Sequence, residues 1–119
     1  MILILGGAYQ GKLQWAKAHY GLTEDMLCDL ACGEPIPGKR CYYHLEDYTR
    51  RAQTPELLPM WENAVLIARE IGSGVVPLSA QERAWRERHG AFLQQLAARA
   101  DVVARIFCGL PEFLKQLQP

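Results

Sequence analysis

The stretch MILILGGAYQGKLQWAK, residues 1–17, constrains the fold more than any other part of the chain. Met1 to Leu5 is a short run of leucine and isoleucine ending at glycine, which suits a fully buried strand. GGAYQG reads as a loop, and the segment from Lys12 to Tyr20 has helical character, stopped by Gly21. Gly6-x4-Gly11-Lys12 therefore lies between a strand and a helix, with the spacing of a phosphate-binding loop. Glycines let such a backbone curl so that successive N–H groups meet phosphate oxygens, and the following helix adds its positive N-terminal end. On this reading Gly6, Gly7, Ala8 and Gly11 shape the cradle and Tyr9 and Gln10 lie within it. Lys12 reaches the outer phosphates as a point charge. Leu13 stands where such loops place the Ser or Thr that ligates magnesium. The alternative is a plain strand-to-helix turn.

The rest of the chain alternates in the same way. Thr23 suits a helix N-cap, and TEDMLCDLA suggests a short helix with Glu24 and Asp25 in its first turn. CGEPIPGKR is a loop, and CYYHLED is a strand candidate. Thr54-Pro55-Glu56 opens a helix that Pro59 limits. AVLIA, residues 64–68, is another buried strand, followed by the glycine-rich loop REIGSGVVP. Residues 79–100 form the clearest helix, with Ser79 and Glu82 as a capping box. Ala84, Trp85, Leu93, Leu96, Ala97 and Ala100 can line one face, and Gly90 interrupts it. DVVARIFCG is a last strand and LPEFLKQL a short last helix. Strands alternating with helices predict an α/β fold of the P-loop NTPase type, a mostly parallel sheet flanked by helices, built as one domain over residues 1–119.

Charge and cysteine usage narrow the function. Lys plus Arg and Asp plus Glu number 13 each, so no net field draws the chain to nucleic acid or membrane. No apolar run is long enough for a bilayer span, and Met1 to Leu5 lacks a basic leader, so the expected location is the cytoplasm. Cys28, Cys32, Cys41 and His44 supply four candidate zinc ligands. The C-x3-C spacing and the opposite faces that Cys41 and His44 take on a strand favour buried free thiols over that site.

Motifs in the second half resemble those of the adenosylcobinamide kinase/adenosylcobinamide-phosphate guanylyltransferase family of cobalamin biosynthesis. Glu70, Gly72, Gly74, Val75, Val76 and Pro77 match its Glu-x-Gly-x-Gly-(Ile/Val)-Val-Pro segment, with Arg69 in place of the preceding Asn. Arg83, Trp85, Arg86, Glu87, Gly90 and Gln94 match its next helix; Ala100-Asp101 and Gly109-x-Pro111 flank the last strand as in the family. LGGAYQGK is similar to its glycine loop, which normally ends Gly-Lys-Ser. The resemblance spans roughly residues 1–21 and 62–116. It implies a P-loop α/β fold, Mg2+ with ATP or GTP, an adenosylcobinamide substrate and a homo-oligomer, trimers among them.

The same resemblance implies site residues. LEDYT is similar to the family's acidic strand end, which makes Asp47, in preference to Glu46, the carboxylate that holds magnesium directly or through water. Asp47 is equally suited to the first turn of a helix. Glu70 follows a buried strand at the carboxyl end of the sheet, where α/β proteins bind ligands. Lys12, Asp47 and Glu70 are therefore the candidate catalytic residues. The segment 22–60 is shorter than in the family, and it is the segment that carries the family's GMP-accepting histidine. His44 is the only histidine there, and its surroundings differ from the family motif. Two readings stay open: a nucleotide-dependent kinase acting on adenosylcobinamide, and a catalytically inactive nucleotide-binding or structural relative acting as a partner subunit.

Overall fold

Strand β1, Ile2–Gly6, runs parallel to a neighbour on each side: β4, Val65–Arg69, and β5, Val102–Phe107. The computed structural model describes residues 1–71 and 79–116. Within them the sheet order is β2-β3-β4-β1-β5-β6, where β2 is Leu27–Asp29, β3 Cys41–Tyr43 and β6 Leu110–Gln116. Five strands are parallel, and β6 closes one edge antiparallel to β5. Helices α1 (Lys12–Tyr20), α2 (Leu45–Arg51) and α3 (Ala80–Arg99) flank it, as the alternating pattern predicts.

Period-2 alternation sorts the core onto two faces. Leu3, Leu5, Tyr42, Leu66 and Val103 pack with Leu45, Tyr48, Phe92 and Leu96 of α2 and α3. Ile4, Cys41, Val65, Ile67 and Ile106 pack on the other face with Ala16 of α1. Cys28 lies on the first face and Cys41 on the second, so the two buried thiols do not meet at a common metal. No group of three or more His, Cys, Asp and Glu side chains among the described residues is placed to hold a metal ion. No described helix is long and apolar enough to cross a membrane.

The structure departs from the sequence reading in four segments. The helix expected from Thr23 is a single 3-10 turn, Glu24–Met26, followed by β2, because residues 27–29 find a parallel partner in β3. The strand expected over CYYHLED ends at Tyr43: His44 takes a left-handed conformation, φ 61°, and α2 starts at Leu45. The helix expected from Thr54 is absent, and only Pro59–Trp61 forms a 3-10 turn. The last helix is instead strand β6; Pro111 is compatible with it because β6 is an edge strand. In α3 the capping prediction holds on one side, with Ser79 Oγ accepting from Glu82 N at 3.0 Å, while the Glu82 carboxylate pairs with Arg50 at 2.6 Å. The buried stripe is Trp85, His89, Phe92 and Leu96, and Ala84 is exposed.

His89 and Thr49 are fully buried and join α3 to α2 and β4. His89 Nε2 lies 2.8 Å from the Arg69 carbonyl, which only a donor satisfies, so the proton sits on Nε2. Nδ1 is then the acceptor for the Thr49 hydroxyl at 2.7 Å, and Thr49 Oγ1 accepts from Trp85 Nε1 at 3.2 Å. Every member of this chain is satisfied with the imidazole neutral. Burial pulls the His89 pKa below its ordinary 6.5, against smaller upward pushes from the Arg69 carbonyl and Glu46.

Two stability predictions follow from this packing. A Cβ on Gly6 would lie 2.7 Å from the Ile106 carbonyl oxygen, whereas one on Gly90 meets nothing within 4 Å. Gly6→Ala is expected to lose about 1–3 kcal/mol in urea unfolding, and Gly90→Ala to gain about 0.5–1 kcal/mol. For His89 the sign follows from the depressed pKa. Above the ordinary value of 6.5 both states are neutral; below it the unfolded chain takes the proton first, so stability falls until the pH drops below the folded-state pKa. Unfolding curves measured from pH 7.5 downwards should therefore shift in favour of His89→Gln relative to the parent. Parallel pH profiles would show that His89 is not buried as a neutral group.

Candidate functional site

The order of the sheet defines where a ligand fits. The connection from β1 leads toward β2 on one side, and that from β4 leads to β5 on the other, so a crevice opens beyond the carboxyl ends of β1 and β4. A cavity of about 340 Å³ lies there, lined by the loop from Ala8 to Leu13 and by Tyr43, His44, Glu46, Ile67 and Arg69. The sequence-predicted glycine loop and the end of β4 thus form one site.

The loop is held open by three local devices. Gly6 must be glycine because a Cβ there would lie 2.7 Å from the Ile106 carbonyl oxygen. Gly11 caps α1 at φ 84°, a left-handed conformation that glycine adopts without strain. The Gln10 carbonyl accepts from Gly109 N at 2.9 Å and its side-chain oxygen from Cys108 N at 2.7 Å, which ties the loop to the β5–β6 turn. Tyr9, at φ 60°, is fully exposed at the loop tip. Ala8 and Tyr9 form a tight turn, and among the described residues no acceptor outside the loop meets the N–H groups of Gly7 through Gln14; the first helical bond is from Trp15 N to the Gly11 carbonyl. N–H groups turned toward a cavity at the start of a nine-residue helix have the arrangement that suits an anion.

Lys12 is half-buried beside it, its Nζ donating to the Gly7 carbonyl at 2.7 Å. Burial pulls the ammonium below the ordinary lysine pKa; Glu46 and Glu70 push it up and Arg69 pulls it down. The four charged side chains therefore share one field. Glu46 lines the cavity, with Oε1 accepting from the Arg69 N–H at 2.9 Å. Asp47, next to it on α2, does not line the cavity, since one residue turns about 100° around a helix. Glu70 also lies outside the lining and pairs with Arg105 at 3.1 Å, while its N–H holds the Gly6 carbonyl at 3.0 Å. Gly72, Gly74, Val75, Val76 and Pro77 lie outside the described residues.

His44 lines the cavity from the other side, and its Nδ1 is 2.7 Å from Asp29 Oδ1. Burial works against the Asp29 charge, yet hydrogen bonds from His44, Ala31 N and Cys32 Sγ hold its carboxyl below the ordinary range. The ionised carboxylate places the His44 proton on Nδ1. Arg69 and Glu46 are the residues that reading the sequence undervalued. Arg69 ends a buried strand at the same edge as Glu70, so the argument that selected Glu70 applied to it equally.

The residues present fit a nucleotide-bound magnesium poorly. Leu13 has no oxygen, and Glu46, the one carboxylate in the described lining, already has one oxygen engaged. Two observations from comparison complete the picture. No curated protein matches the chain. A family profile described as cobinamide kinase / cobinamide phosphate guanyltransferase matches residues 42–114, more than half of the chain, though not the glycine loop. With the motif order, the parallel sheet and the cavity at its carboxyl edge, that match places the chain in the cobinamide kinase / cobinamide phosphate guanyltransferase family.

Proposed function

We propose that the chain is a nucleotide-binding member of this family that transfers the γ-phosphoryl group of ATP or GTP to the aminopropanol hydroxyl of adenosylcobinamide. The observation that carries the reading is the loop from Gly7 to Gln14, whose N–H groups meet no acceptor outside the loop among the described residues, beside Lys12 in a cavity at the carboxyl edge of a parallel sheet. Amides and ammonium hold the β- and γ-phosphates, and Lys12 leaves the Gly7 carbonyl to do so. The substrate hydroxyl oxygen attacks the γ-phosphorus, the bond to the β-phosphate oxygen breaks, and nucleoside diphosphate leaves. Glu46, on the cavity wall, accepts the hydroxyl proton. The proposal is confined to the kinase step, and it includes a homo-oligomer in the cytoplasm and one domain over residues 1–119.

A second reading is favoured by Leu13, which lines the cavity where the hydroxyl of an active loop belongs. On it the chain binds nucleotide without transferring phosphate and serves as a partner subunit. Calorimetric titration with non-hydrolysable ATP and GTP analogues, beside Lys12→Ala, tests the common premise. The variant is expected to lose about tenfold or more in affinity. Binding indifferent to Lys12 would contradict both readings. Phosphorylation of adenosylcobinamide by the parent, lost in Glu46→Gln, supports the kinase; tight binding with no transfer supports the inactive relative.

A further inference from the structure

We propose that Arg69 takes the place of the divalent cation in this site, so that Lys12, Arg69 and the loop amides bind a nucleoside triphosphate with no metal required. The inference rests on the phosphate-loop reading above and goes beyond it to the charge state of the ligand. Arg69 is paired in register with Gly6, where the loop begins, and its side chain lines the cavity. Among the described residues no carboxylate lies within ion-pair distance of its guanidinium, although Arg50, Arg51 and Arg105 each have one.

The backbone of Arg69 is held from two sides. Its N–H donates to Glu46 Oε1 at 2.9 Å and its carbonyl accepts from His89 Nε2 at 2.8 Å. The arginine is thus anchored at its base by buried structure while its charged end is exposed. Two like charges, Lys12 and Arg69, then face one space in the free protein, an arrangement that a polyanion relieves. A guanidinium presents planar paired donors that match phosphate oxygens, and it needs no hydroxyl ligand to stay in place. Leu13 is consistent with this: where the positive charge is carried by a side chain, an oxygen after the lysine has no cation to bind.

Titration of the intact protein with a non-hydrolysable ATP analogue and with inorganic tripolyphosphate, each in EDTA and in magnesium, separates the possibilities. The parent is expected to bind both probes as tightly in EDTA as in magnesium. Arg69→Asn, the residue the family resemblance places there, should lose about tenfold or more in EDTA, and Arg69→Lys should fall between. Melting curves of the variants should match the parent, since the replaced group is exposed. Parent binding that requires magnesium, or full affinity of Arg69→Asn in EDTA, would overturn the inference while leaving the loop reading intact if Lys12→Ala still abolishes binding. Absence of binding to either probe in any condition would overturn both.

Discussion

The closeness of Gly6 to the Ile106 carbonyl, whose oxygen would lie 2.7 Å from a Cβ at Gly6, sets the shape of the edge that carries the cavity. It brings the end of β1 against β5 so closely that only glycine fits, and the chain leaves the sheet at that point into a loop. The same closeness lets the β5–β6 turn reach Gln10 with two backbone N–H groups. Among the described residues no acceptor from outside the loop meets its N–H groups, and α1 starts beneath them with its positive end toward the cavity.

Support on the opposite side comes from a buried polar chain. His89, Thr49 and Trp85 link α3 to α2 and to the last residue of β4. Buried polar groups of this kind cost stability unless all are satisfied, and here a neutral imidazole satisfies them. Their outward ends are the backbones of Glu46 and Arg69, the two charged residues that meet the cavity from α2 and β4.

Much of this was legible in the sequence where local signals agree with the sheet. The apolar run, the glycines and the following helix all favour one strand–loop–helix unit, and Ser79 starts α3 where capping predicts it. The errors lie where local preference meets a long-range partner. Thr23, Glu24 and Asp25 look like a helix start, but pairing with β3 wins after one turn. The aromatic run of β3 hides the left-handed His44 that turns the chain into α2, and this turn sets Glu46 rather than Asp47 on the cavity wall. The helix-forming composition of the last segment gives way to edge pairing with β5. His89 was invisible because a histidine on an otherwise apolar stripe carries no periodic signal of its own.

The most direct test of the account is a crystal structure of the protein with a non-hydrolysable ATP analogue bound. The account predicts the β- and γ-phosphates within hydrogen-bond distance of the amides between Gly7 and Leu13. Lys12 Nζ should have moved from the Gly7 carbonyl to a phosphate oxygen, and the Arg69 guanidinium should contact the same group. A nucleotide bound elsewhere, or Lys12 still on the Gly7 carbonyl with the loop empty, would contradict it.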